Sequence, residues 1–187
     1  MPLVAYKQYP VGGPIQPSIE GLIELIKKID RTSIDRIEIK MPGNISIFSE
    51  ATMLALNLPY LAAVILEDGD LSFNMAQSHE RMSTETIREK MDHITLIHDP
   101  NQEKEPRVES AQVKVILKND ERHEIFIEHV LGFPERPMNH QDVENKAKSL
   151  ITPILGRSKA SKLIETIWNL ETLSNIKIII PLLIPPD

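Results

Sequence analysis

Ile19, Leu22, Ile23, Ile26 and Ile29 recur at helical spacing, which places them on one face of an α-helix. Pro17 stands where a first helical turn tolerates a missing N–H, so a helix is predicted from about Pro17 to Asp30. Next, Ile37, Ile39 and Met41 alternate with Arg36, Glu38 and Lys40. That is the period of a strand with one buried face, stopped by Pro42, Gly43 and Asn44. From Ser49 to Asp68 the pattern is helical except at NLPY, where Pro59 disfavours helix at Leu58. Two helices meeting at Pro59 are predicted, the second apolar nearly all round and therefore buried. Ser83 is the expected cap of a polar helix over TETIREKM.

HITLIH reads as a strand. A charged loop follows from Asp99 to Pro106, and the wider run EKEPRVE reads as solvated. Val113, Val115 and Leu117 alternate, Asn119-Asp120 makes a turn, and Ile125 and Ile127 lie on the return strand, which together make a hairpin. GFPERPMN is a loop. Asn139 is placed to cap a helix carrying Val143, Ala147, Leu150, Ile151 and Ile154, which Gly156 ends. A further helix uses Ala160, Leu163, Ile164, Ile167 and Trp168. The tail NIKIIIPLLIPPD fits either a short strand or a helix broken at Pro181. About four strands with helices on one face predict an α+β fold. The expected form is a two-layer sandwich of a mostly antiparallel sheet, with helices added at the C-terminus. The whole, 1–187, is expected to be a single domain.

Composition narrows the functional classes. Aromatics are only 4% of the 187 residues, so the core is aliphatic. Net charge is -6 with both signs interspersed, and no basic stripe offers a nucleic-acid surface. The chain has no cysteine, which excludes disulfides and thiolate chemistry and fits a reducing compartment. No run approaches the roughly 18 apolar residues of a membrane helix, and Met1 to Pro10 lacks the pattern of a signal peptide. A cytoplasmic protein is expected.

The six histidines show no i, i+4 pair. His123 and His129 fall on one strand face by spacing, but a metal needs a third ligand, and no metal is expected. No nucleophile elbow, Walker loop or dinucleotide fingerprint is present. Two segments hold chemistry worth following. In AYKQYPVGGPIQPSIEG, Lys7 offers a point charge and Tyr9 a directed hydroxyl, just ahead of a helix start with its partial positive charge. In LNLPYLAAVILEDGDLS, Tyr60 follows the helix-breaking Pro59. By spacing alone each also reads as ordinary, a stiff loop and a core tyrosine with its hydroxyl satisfied locally.

These segments occur in an order that resembles the C-terminal half of the MmgE/PrpD family, which includes 2-methylcitrate dehydratase and cis-aconitate decarboxylase. The likeness rests on Lys7-Gln8-Tyr9-Pro10, the strand Ile34 to Ile39, Asn57-Leu58-Pro59-Tyr60 and Asp68-Gly69-Asp70. It continues through Gly132 to Met138, Leu155-Gly156 and Trp168-Asn169-Leu170-Glu171. The resemblance implies a smaller α+β lid domain, normally preceded by a large all-helical domain that bears most of the acid–base residues. It implies a cofactor-independent lyase chemistry on di- or tricarboxylic acids, with Lys7 and Tyr60 as catalytic residues. Lys7, Tyr9, Gln16 and Tyr60 would bind substrate. A separate helical chain would be the partner, the lid would be inactive alone, and homo-oligomers are common among full-length relatives.

Two positions depart from the family pattern. Many members have histidine where Gln16 stands, and Gly-His-Pro where Gly132-Phe133-Pro134 stands. Without the helical part, the chain would be a split gene product, an excised piece or a relic. A non-catalytic binding or assembly domain that kept the fold is the alternative. A complete small enzyme of another class lacks a convergent acid–base set.

Overall fold

The alternating residues Ile37, Ile39 and Met41 lie in strand β1, Ile34–Met41, and are all buried. The computed structural model describes residues 4–104 and 109–186. The chain divides into two compact units, Met1–Pro137 and Met138–Asp187, each with its own apolar cluster.

In the first unit, β1 joins β2 (Ile94–His98), β3 (Ala111–Leu117) and β4 (Arg122–Ile127) in one sheet of order β2-β1-β3-β4. The β1–β3 and β3–β4 pairs are antiparallel and β1–β2 is parallel. The sheet is mostly antiparallel, and the fold is α+β. The hairpin turns at Asn119-Asp120, where Asp120 takes φ 66° and the Asn119 side chain accepts from the Glu121 N–H at 3.1 Å. An Asx side chain tolerates and stabilises such a turn.

Helix α1, Gln16–Ile26, lies over β3 and β4. Its close approach depends on Gly21. A Cβ there would stand 3.0 Å from Val113 Cγ2 and 3.1 Å from Ile125 Cγ2. The helix stops at Ile26 rather than Asp30, leaving Ile29 only half-buried. After β1 comes α2, a single turn at Ser46–Ser49, then a 3-10 turn at Leu54–Leu56. Helix α3, Leu58–Asp68, carries Pro59 in its own first turn. The expectation of two helices meeting at Pro59 is corrected: the proline begins one helix, since its absent N–H needs no partner there. α3 packs on α1 and β2, and Leu58, Leu61 and Ile65 are wholly buried. Fully burying such side chains contributes about 1.5–3 kcal/mol each.

Single turns α4 (Phe73–Ala76) and α5 (His79–Met82) lead to α6, Glu85–Asp92. Thr84, not Ser83, holds the N-cap position of α6. The Ser83 hydroxyl instead donates back to the His79 carbonyl at 2.9 Å. Of the expected charged loop, Pro100–Gln102 form a 3-10 turn, and the middle of the EKEPRVE run lies outside the described residues.

The second unit pairs α7 (His140–Leu155) with α8 (Arg157–Trp168). Asn139 and Asp142 form a reciprocal capping box, and Gly156, at φ 75°, is the only residue between the helices. Leu155, Ala160, Leu163 and Ile179 make its core. The tail forms a 3-10 helix, Ile176–Leu182, with Pro181 inside. This is neither the strand nor the helix broken at Pro181 that the sequence suggested. Among the described residues, no helix is long and apolar enough to cross a membrane.

Candidate functional site

The segment from Tyr6 to Pro14 has little regular structure of its own, so its shape is imposed by hydrogen bonds to neighbours. Gln16, the first residue of α1, supplies most of them. Its Oε1 accepts from the Tyr9 N–H at 3.0 Å, and its Nε2 donates to the Tyr9 carbonyl at 2.8 Å and the Val11 carbonyl at 3.2 Å. Gln16 is wholly buried. A side-chain amide with a donor and an acceptor satisfies an irregular backbone that has no ladder to join.

Lys7 is exposed, and its Nζ donates to the same Val11 carbonyl at 3.2 Å. An ammonium has three donors, so two remain available beside the N-terminus of α1. The Tyr9 ring packs against the main core. Burial, and then the carboxylates of Glu20, Asp70 and Glu24, push its phenol well above the ordinary range. A phenol is protonated at neutral pH even at its ordinary value, so the hydroxyl is a donor there. Among the described residues, the buried Gln8 Oε1 and Ser18 Oγ have no hydrogen-bond partner. Buried polar groups are nearly always paired, so this end of α1 holds unused hydrogen-bonding capacity.

The loop is docked onto the 3-10 turn Leu54–Leu56, just ahead of the helix that carries Tyr60. The Gly12 N–H donates to the Ala55 carbonyl at 2.9 Å, and a Cβ on Gly12 would collide with Leu56 Cδ2 at 2.2 Å. Asn57 caps α3 by accepting from the Tyr60 N–H at 3.0 Å, and its Nδ2 donates to the Ala51 carbonyl at 3.0 Å.

Tyr60 itself is wholly buried. Its hydroxyl lies 2.5 Å from the Met75 carbonyl and 3.1 Å from the Ser78 carbonyl, and burial raises its pKa. Its single proton is committed to the 75–78 backbone. Ser78 in turn caps α5 through the Arg81 N–H at 3.2 Å, and Arg81 pairs with Asp68 at 2.5 Å. Gly69 ends α3 at φ 83°, so the Asp-Gly-Asp segment is a helix stop whose first carboxylate anchors Arg81. Tyr60 and Asp68 thus belong to one local scaffold.

Of the four expected site residues, Lys7 and Tyr9 offer donors, while the polar ends of Gln16 and Tyr60 are tied to backbone. Lys7 and Tyr60 have no shared hydrogen-bond partner among the described residues. The sequence did not single out Glu20, a buried carboxylate bonded to Arg136 and to the Leu131 N–H. Its one signal was an acidic residue directly beside the apolar stripe of α1. His123 lies in β4 and His129 beyond its end; His98, His123 and His140 each sit within 4 Å of a carboxylate oxygen. No group of three metal-ligating side chains occurs among the described residues.

The family model described as the MmgE/PrpD C-terminal domain matches residues 9–172, which takes in Tyr9, Gln16, Tyr60 and the 132–138 segment. Lys7 stands just ahead of the matched span. A comparison with curated proteins finds no match. On the match over most of its length, the chain belongs to the MmgE/PrpD family, in the C-terminal domain.

Proposed function

We propose that the chain forms the substrate-covering part of a lyase of the MmgE/PrpD kind, a dehydratase or decarboxylase acting on di- or tricarboxylic acids. Lys7 binds a substrate carboxylate and Tyr9 donates a second hydrogen bond to it. Gln16 shapes the loop that carries both. Tyr60 fixes the 75–78 turn, and reaches substrate only if that turn releases its hydroxyl. Removing a proton beside a carboxylate builds negative charge, and a cation held ready nearby stabilises it. Proton transfer falls to a helical partner, and closure over the substrate excludes water. Exposed apolar side chains in the second unit, among them Ile154, Ile176, Ile180 and Leu183, offer surface of the kind a partner covers.

The observation that carries this reading is the meeting of Lys7 Nζ and Gln16 Nε2 on Val11 O at the N-terminus of α1, where helix geometry favours anions. Calorimetric titration with tricarballylate, an unreactive tricarboxylate, tests it. Losing a hydrogen bond to a charged group removes about 1.5–3 kcal/mol. Lys7→Ala should therefore weaken binding by about 10- to 150-fold, and unchanged affinity in Lys7→Ala contradicts the proposal.

The committed Tyr60 hydroxyl, and a Gln16 that carries no titratable proton, favour a second reading. In it the chain is a binding or assembly domain that kept the fold without the chemistry.

A further inference from the structure

Glu20 lies buried in α1, a setting in which an unpaired carboxylate is strongly disfavoured. Both its oxygens are engaged by one distant segment. Oε2 accepts from the Leu131 N–H at 3.0 Å, and Oε1 is bonded to Arg136 Nη1. The same guanidinium reaches the His129 carbonyl at 3.4 Å. The segment is closed on itself by the Gly132 N–H on the Arg136 carbonyl at 2.8 Å and the Arg136 N–H on the Phe133 carbonyl at 3.0 Å. Its Gly132 carbonyl then accepts from the Tyr6 N–H at 2.7 Å, one residue before Lys7.

We infer that the Glu20–Arg136 pair is a latch that positions Lys7. The pair fixes the 129–136 turn on α1, and Gly132 of that turn fixes the backbone on one side of Lys7. Gln16 fixes it on the other side, at Tyr9 and Val11. Glu20 and Arg136 act through backbone and are positioning residues. A pair serving general stability would show its loss throughout the unit; a latch confines it to the 129–136 turn and to Tyr6, which that turn holds. The inference rests on the proposed role of Lys7 for its functional meaning, but the latch itself is read separately.

The test is amide hydrogen exchange at Tyr6, with Ile39 and Val113 in the sheet as controls, together with tricarballylate titration of the same samples. In Arg136→Gln, Tyr6 should exchange about tenfold faster or more while Ile39 and Val113 keep their protection. Tricarballylate affinity should fall about tenfold, and Arg136→Lys should restore most of both. Glu20→Gln keeps an acceptor for Leu131 but loses the charge, and should match Arg136→Gln, with the double variant no worse than either. Should Glu20→Gln not fold, the half-exposed Arg136 decides alone. Unchanged exchange at Tyr6, or a rise matched at Ile39 and Val113, overturns the latch. Faster Tyr6 exchange in a protein whose wild type binds no tricarballylate supports the latch and removes the proposed role of Lys7.

Discussion

Lys7 and Gln16 donate to one acceptor, the carbonyl oxygen of Val11, each at 3.2 Å. One of these donors is exposed and charged, the other buried and neutral. The pairing separates the two jobs of the loop: Gln16 gives it shape, and Lys7 presents charge from it.

Gln16→Ala removes the side-chain partner of the Tyr9 N–H and of the Tyr9 carbonyl, and leaves the Val11 carbonyl to Lys7 alone. Each buried unsatisfied group costs about 1–3 kcal/mol, and water entering the gap offsets part of this. A loss of about 2–4 kcal/mol in unfolding free energy is expected from that range, read from the urea midpoint at constant slope. A change under about 0.5 kcal/mol, the scale of an ordinary surface substitution, would mean the loop holds its shape without Gln16.

Tyr60→Phe removes the hydroxyl from the Met75 and Ser78 carbonyls while keeping the ring volume. The expected effect is a loss of about 1–2 kcal/mol in stability, with faster amide exchange confined to 73–82. Lost substrate binding without lost stability would show instead that the hydroxyl touches substrate.

Gly21→Ala sets two effects against each other. Alanine in a helix gains about 1 kcal/mol over glycine. The added methyl, however, meets Val113 and Ile125 at 3.0 and 3.1 Å on the far side of the packed layer. Overpacking costs typically about 1–3 kcal/mol, and side chains fixed on two strands have little room to yield. A lowered thermal midpoint is expected; a raised one would show that α1 lifts freely from the sheet.

The strands were legible because period-two alternation survives wherever one face is buried, as at Ile37, Ile39 and Met41. The α7 cap was legible too, because Asn139 and Asp142 are close in sequence. Pro59 was misplaced since a proline that breaks one helix and a proline that starts another look alike locally. Glu20 was missed for a different reason. An acid in a helix reads as a solvent face, and its burial is set by Leu131 and Arg136, more than a hundred residues away. The commitment of Tyr60 to backbone carbonyls likewise depends on the fold of 73–78, which no spacing rule reveals.

Tyr9 has an alkaline signature. Burial raises its folded pKa above the ordinary 10.0, so the folded state holds a proton that the unfolded chain releases. The stabilisation is fully present below about pH 10, the ordinary phenol range, and is lost as pH rises through the folded value. Tyr60 is raised in the same direction. Urea unfolding at rising alkaline pH should show falling stability, and Tyr9→Phe should flatten that slope; an unaltered slope would place the Tyr9 hydroxyl in solvent.

Turnover of 2-methylcitrate and cis-aconitate, assayed on the purified chain alone and again after addition of a helical-domain chain of the same family, is the most direct test of the central claim. Activity only in the combined sample, abolished by Lys7→Ala, is the expected result. Turnover by the chain alone, or full activity of the combined sample with Lys7→Ala, would contradict a carboxylate-binding cover that depends on a helical partner.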